Sequence, residues 1–239
     1  LEAITIVFAL ISGMSYVTHF AALSGRSFLP YWRDGEVPFY LGVLGASVLL
    51  IAGYLWHENY YTEFPTALRH AAFNTVSVAT TLGYASTDYS KWPFFAPLWM
   101  LFLCSFVTCS GSTGGGIKMM RAIVLYKQVF REITHAMHPN ATTYVKFGGT
   151  IVSNKIILAV LGFGFLYMAS TILFTLVLAA SGLDIVSSFS AAVACFNNTG
   201  PGLGLVGPDS NYGVFNDFQV WVCSFAMLLG RLEIFTLLV

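Results

Sequence analysis

The sequence predicts an all-α membrane protein made of repeated units, each a spanning helix, a short half-depth helix with a re-entrant loop, and a second spanning helix. Three observations predict it. Of 239 residues, 56% are apolar and only 9% charged, with a mean hydropathy of +0.73, far from the averages of soluble domains. Two apolar segments, 64–81 and 185–197, are too short to cross a bilayer, and each runs into a polar stretch bearing glycine. The spacing of these features recurs along the chain. Eleven basic and eleven acidic residues cancel, but their uneven placement carries more information than their sum. Cys104, Cys109, Cys195 and Cys223 fall in apolar segments without metal-ligand spacing and read as small buried hydrophobes.

Taken in order, residues 4–23 have about the length one tilted helix needs to span the hydrocarbon. A polar stretch, 24–38, carries Arg26, Arg33, Asp34 and Glu36, and 39–56 forms a second span. Segment 64–81 opens with Pro65, suited to a first helical turn. About fifteen helical residues reach only about 22 Å, short of the roughly 30 Å core, so this helix enters and turns back. The backbone of 80–86 then cannot face lipid, where its amides would go unsatisfied, and must be buried in protein or line water. Residues 92–109 read as a further span. It meets Gly111-Ser112-Thr113-Gly114-Gly115-Gly116, four glycines in six residues, which cost a helix roughly 3–4 kcal/mol relative to alanine.

Beyond that break, Lys118, Arg121, Lys127, Arg131 and Lys146 face only Glu132 in one connecting segment, which places it on the cytoplasmic side. Residues 156–180 span again. Asp184 is placed to cap a second short helix, 185–197, and 218–239 is the last span. Alternate threading puts 24–38 and 118–150 inside and both short-helix loops outside. There Glu58, Glu63, Asp88, Asp184, Asp209 and Asp217 outnumber Arg69 and Lys91, an acidic mouth that would concentrate cations.

Internal repetition ties these segments together. Phe-x4-Gly occurs at Phe8–Gly13, Phe106–Gly111 and Phe225–Gly230, each expected within a spanning helix that follows a re-entrant loop. Gly83 precedes Gly111 by 28 residues and Gly200 precedes Gly230 by 30. A glycine paired in this way with Gly13 would lie upstream of Leu1, so truncation is expected to have removed a loop. The expected divisions are 1–38, the tail of one unit with its linker, then complete units at 39–150 and 151–239.

A dehydrated alkali cation needs several oxygen ligands at once, and carbonyls of an extended loop supply them. Gly83 and Gly200 permit the backbone angles that turn carbonyls toward an axis, and the negative ends of the short helices point the same way. The expected cation ligands are the carbonyls of Thr80, Thr81, Leu82 and Gly83, paired at an offset of 117 residues with Asn197, Asn198, Thr199 and Gly200. The glycine segment 111–116 lacks the Gly-Lys-Ser/Thr ending of a phosphate loop, which leaves a structural kink or a flexible intramembrane gate. Arg231 is a mid-span charge that costs about 2.5–3.5 kcal/mol to insert and needs a partner. It either projects toward the pore, anchors the glycine segment through its carbonyls, or pairs with an acid on another helix. Glu233 lies off its helical face. The histidines and the 21 phenylalanines and 12 tyrosines read as packing, hydrogen bonding or lipid contact.

The repeated helix–pore-helix–helix order, Thr-Thr-Leu-Gly-Tyr in one loop, Asn-Asn-Thr-Gly-Pro-Gly in the next, Gly-Ser-Thr-Gly-Gly-Gly-Ile-Lys between them and Gly-Arg-Leu-Glu at the end resemble the Trk/Ktr/HKT superfamily of potassium transporters. The bacterial TrkH type is most similar, and the resemblance covers essentially the whole chain. It implies a potassium-channel-like, fourfold pseudosymmetric pore in one polypeptide, of which this chain supplies the second half. Potassium is the permeant, and no other cofactor and no enzymatic activity is implied. The gate it implies is formed by Gly111, Ser112, Thr113, Gly114, Gly115 and Gly116 with Arg231. It further implies a bacterial inner-membrane homodimer regulated by a cytosolic nucleotide-binding ring protein of the TrkA type, surrounded by lipid and without a nucleic-acid partner. A secondary cation symporter with broken helices is the alternative, although such proteins more often carry intramembrane acids. A membrane enzyme would need a clustered catalytic set that the spans lack.

Overall fold

The structure is a computed structural model that describes residues 1–140 and 143–232. It is mostly helical, with almost no sheet. Helices α1 (Glu2–Ser12) and α2 (Tyr16–Ser24) meet at 94°, so the single span expected over 4–23 is broken at residues 13–15. The break is stable because its freed backbone groups find partners in the glycine-rich segment. Cys109 N–H donates to the Gly13 carbonyl at 2.9 Å and Tyr16 N–H to the Gly111 carbonyl at 3.1 Å. A turn through α3 (Leu29–Arg33) leads to α4 (Val37–His57), the span expected at 39–56.

The short helix α5 (Phe64–Ala79) has Pro65 in its first turn, where the missing N–H costs no intrahelical bond. Helix α6 (Phe95–Cys104) is only 10 residues long, so the span expected over 92–109 stops five residues early. Residues 105–118 leave the helix because their polar groups bond across the segment itself. Ile117 N–H donates to the Ser105 carbonyl at 2.6 Å, and Met119 N–H to that of Thr108 at 2.8 Å. The Phe106–Gly111 motif therefore lies in irregular chain, and Phe8–Gly13 ends at the α1–α2 break, whereas Phe225–Gly230 is helical throughout.

Helix α7 (Met119–Met137) and the hairpin β1 (Lys146–Phe147) and β2 (Thr150–Ile151) lead into α8 (Asn154–Ala180). The second short helix, α9 (Ile185–Asn197), is capped by the Asp184 carboxylate, which accepts from Ser187 N–H at 3.1 Å. Helix α10 (Asp217–Arg231) starts with a capping box between Asn216 and Gln219, which satisfies two amides reciprocally. The remainder of the expected 218–239 span beyond Leu232, Glu233 included, lies outside the described residues. Among the described residues, α4 and α8 are long and apolar enough to cross a membrane, with the bent α1–α2 pair a third if counted as one span.

Each short helix is enclosed by longer ones. Helix α5 packs with α4, α6 and α1, and α9 with α8, α10 and α6. Lipid offers no hydrophobic drive between helices, so close backbone approach must hold them together. Small residues supply it: Ala67, Ala71, Ala191 and Ala194 are fully buried, and Gly230 of α10 sits so close to the Phe196 carbonyl that no Cβ fits between them. The four cysteines are free and buried.

Candidate ion-pathway site

The two short helices end in the same local structure at residues 117 apart. Thr81 and Asn198 adopt left-handed φ angles of +59° and +54°. Thr81 N–H donates to Val78 O and Asn198 N–H to Cys195 O, both at 3.1 Å; Leu82 N–H donates to Ser77 O at 2.8 Å and Thr199 N–H to Ala194 O at 2.9 Å. This is the Schellman arrangement, here built on non-glycine residues. Thr80 Oγ1 and Asn197 Nδ2 repeat one another too, each donating four residues back, to Val76 O at 2.7 Å and Val193 O at 2.9 Å.

Gly83 and Gly200 follow, at φ +81° and +103°. The chain then returns and is pinned at equivalent positions by different chemistry: Ser86 N–H donates to Asn74 Oδ1 at 3.1 Å, and Leu203 N–H to Ser190 Oγ at 2.9 Å. Ser77 Oγ holds the Tyr84 carbonyl at 2.5 Å.

Among the described residues, no group donates a hydrogen bond to the carbonyls of Thr80, Thr81, Leu82, Gly83, Asn197, Asn198 or Thr199, whereas Gly200 O accepts from Tyr212 Oη at 2.9 Å. Unpaired carbonyls are expensive where they are buried, as at Thr80, Asn197 and Thr199, and the seven in two matched turns form an acceptor-rich surface. The structure brings the two turns together: a Cβ on Gly83 would overlap the Thr199 carbonyl oxygen and touch Pro201 Cδ at 3.4 Å. On the acidic rim, Lys91 pairs with Asp88 at 2.9 Å and Asp209 at 3.9 Å. One lysine thus links the two return loops and offsets part of the expected acidity.

The glycine segment lies against the end of α9. Cβ atoms on Gly115 and Gly116 would meet the Asn197 backbone and side chain, and the Gly116 position also abuts the Ser105 carbonyl. Asn197 is fully buried; its Oδ1 accepts from Tyr167 Oη at 3.1 Å, and its Nδ2 reaches Cys104 Sγ at 3.3 Å and Ser105 Oγ at 3.4 Å. Any shift of the segment is therefore felt at the base of the Asn198–Gly200 turn.

Three charged side chains hold the segment. Arg231 Nη1 donates to the Thr113 carbonyl at 2.9 Å, which is the anchoring geometry among the three roles open to it from sequence. Lys118 Nζ, buried at the start of α7, donates to the neighbouring Gly114 carbonyl. Glu36, only 7% exposed at the entrance to α4, accepts from Ser110 N–H at 2.6 Å. From sequence, Glu36 belongs only to the polar stretch 24–38, whereas Lys118 closes the Gly-Ser-Thr-Gly-Gly-Gly-Ile-Lys run as well as contributing to the basic segment.

Burial pushes the Glu36 carboxyl above its ordinary value near 4.5, with Asp34 adding to the shift and the Ser110 bonds opposing it. Asp34 is itself engaged, accepting from Glu36 N–H at 2.8 Å and from Thr18 Oγ1 on α2. A raised carboxyl pKa means that the folded state holds its proton longer, so this group's contribution to stability falls as pH rises from the ordinary glutamate value to the raised one. Glu36→Gln is expected to flatten that slope in detergent unfolding curves while keeping an acceptor for Ser110. Glu36→Ala removes the acceptor and should cost about 1–3 kcal/mol, toward the lower end because Ser110 is only half-buried. Parallel pH slopes in wild type and Glu36→Gln would refute this.

The whole chain, residues 1–239, matches the family described as TrkH, a cation transport protein. The chain belongs to the TrkH family. It is 41% identical over its full length to the Trk system potassium uptake protein TrkH of Salmonella typhimurium, covering 49% of that protein, and 35% identical over 97% of its length to TrkG of Escherichia coli K12. The crystal structure of the potassium transporter TrkH from Vibrio parahaemolyticus superposes with a TM-score of 0.93 at 39% identity, covering 99% of this chain and 51% of that one. This TrkH-family chain thus spans about half the length of the curated relatives it matches, and its mostly helical fold is that of the TrkH crystal structure.

Proposed function

We propose that this chain supplies two adjacent walls of a potassium-conducting pathway, and that the carbonyls of Thr80–Gly83 and Asn197–Gly200 are its cation ligands. The observation that carries this is the matched pair of turns with unpaired carbonyls, in contact at Gly83 and Thr199. Carbonyl rings replace the hydration shell of an alkali cation, and the C-terminal ends of α5 and α9 add favourable dipoles. Relatives named as potassium uptake proteins make potassium the cation of choice. The segment 111–116, clamped by Arg231, Lys118 and Glu36, is the gate beneath these ligands.

The same reading places the protein in a bacterial inner membrane, with 118–150 inside, as a homodimer working with a nucleotide-binding ring protein. Proton-coupled symport is disfavoured because neither turn carries a titratable side chain, and sodium coupling is left to the uptake test. The test is rubidium and sodium uptake by the full-length protein in vesicles with clamped membrane potential. Rubidium entry should follow its own gradient and exceed sodium entry; uptake that requires a sodium or proton gradient would overturn the proposal.

A further inference from the structure

The geometry points to a binding site for an anionic phospholipid of the inner leaflet, with its headgroup beside α7 and one acyl chain lying against the flank of the glycine segment. Two cavities share one residue. The first, about 460 Å³, is lined by Lys127, Arg131, Thr134, Tyr144 and Lys146 together with Tyr126. The second, about 550 Å³, is almost entirely apolar; Tyr126, Ala122, Met168 and Ile172 line it, and it ends on Phe106 and Ile117, which flank the glycine segment. Ala122, Tyr126 and Phe130 follow one another at four-residue spacing and so form one stripe of α7. A cationic pocket that meets an apolar groove at Tyr126 has the polarity pattern of one amphiphile.

The depth is right for a lipid. Helix α7 runs antiparallel along α8: the Arg121 guanidinium lies 4.1 Å over the Phe163 ring, and ten residues later Arg131 Nη1 bonds Asn154 Oδ1, at the start of α8, at 3.0 Å. The 27 residues of α8 measure about 40 Å, more than the roughly 30 Å hydrocarbon core, so its first turns stand at headgroup level. Arg131 stands there too. Tyr126, Val129, Phe130 and Ile133 are exposed beside these cations, the make-up of an interfacial helix.

The charges are asymmetric and partly unspent. Arg131 Nε is buried without a hydrogen-bond partner among the described residues. Lys127 Nζ already donates to the Lys146 carbonyl at 2.7 Å, which fixes its position at the pocket wall. Lys146 and Lys155 are exposed nearby, and the single acid of the segment, Glu132, is bonded by Gln128 Nε2 at 2.6 Å. Each cation near an anionic leaflet contributes about a five-fold gain in binding. This inference rests on the inside placement of 118–150, but it is read out by lipid contact alone, independently of ion flux.

The test uses the full-length protein carrying Tyr126→Trp, with the fluorescence of the same protein lacking this change subtracted. It is reconstituted in phosphatidylcholine vesicles containing either brominated phosphatidylglycerol or brominated phosphatidylcholine. Quenching by the phosphatidylglycerol is expected to be several-fold stronger and to weaken at high salt. Adding Lys127→Gln and Arg131→Gln should abolish that preference, since each of these cations contributes about five-fold in binding. Ala122→Phe, which fills the groove, should weaken binding of long-chain but not short-chain phosphatidylglycerol. Equal quenching by both lipids means bulk lipid contact only and overturns the site, as does a preference that survives the double substitution. Displacement by inorganic phosphate assigns the pocket to a soluble anion, and selectivity that appears only with a cytosolic protein present assigns it to that partner; either rejects a lipid.

Discussion

Gly83→Ala is expected to abolish most of the potassium-over-sodium preference of the full-length protein, while Gly200→Ala weakens it less. The two glycines occupy equivalent turns and both have positive φ, at +81° and +103°. A Cβ in the left-handed region costs about 1–2 kcal/mol wherever it occurs. At Gly83 there is a second cost: the added carbon would overlap the Thr199 carbonyl oxygen, a backbone atom of the opposite turn, whereas at Gly200 it meets nothing within 4 Å. Backbone cannot rotate away as a side chain does. The Gly83 variant must therefore separate the two turns and displace the carbonyls proposed as ligands.

A loss of 1.4 kcal/mol in relative ion stabilisation is tenfold in selectivity. The rubidium-to-sodium uptake ratio should fall by about tenfold or more for Gly83→Ala and by only a few-fold for Gly200→Ala. Equal effects would show that backbone strain alone governs the turns. An unchanged ratio in correctly inserted Gly83→Ala protein would remove this turn from the cation path.

What the sequence discloses follows from how local the determining interactions are. Helix α5 is legible because Pro65 marks its start and its length is short for a bilayer. Helix α9 is legible because Asp184 caps it and the Asn-Asn-Thr-Gly-Pro-Gly run ends it. Both helices are settled by residues within a few positions of their ends. The early stop of α6 at Cys104 and the break at 13–15 are not: the bonds that compensate the break join residues about a hundred positions apart, Cys109 to Gly13 and Tyr16 to Gly111, and those that replace the helix after α6 return across about a dozen irregular residues, from Ile117 to Ser105 and Met119 to Thr108.

The Phe-x4-Gly repeat did hold a signal for the first break. Gly111 stands at a recognisable interruption, and the same motif at Gly13 points to another, but a continuous apolar run over 4–23 outweighs it. Glu36 was illegible for a different reason. Its carboxylate is engaged by Ser110, which folds back from a segment 74 residues away.

Loosening the glycine segment is the change expected to move flux furthest in the opposite direction. Deleting Gly114–Gly116 removes the Lys118-bonded carbonyl of Gly114 and the two positions that seat against Asn197. It also shortens the chain between Thr113, held by Arg231, and Ile117, held by Ser105. With the proposed gate so shortened and one of its anchors gone, rubidium flux should rise by about an order of magnitude at equal surface expression. Arg231→Gln tests one anchor in isolation. The side chain is exposed, so its bond to Thr113 is worth about 1 kcal/mol, and flux should rise about five-fold. Arg231→Gln should keep the wild-type rubidium-to-sodium ratio, because neither turn takes part in the bond it breaks, whereas the deletion also unseats Asn197 and tests whether the Asn198–Gly200 turn keeps its shape without that contact. Higher flux with lost selectivity would mean that the segment holds the Asn198–Gly200 turn in shape through Asn197. Unchanged flux in inserted protein would reduce the segment to a structural kink.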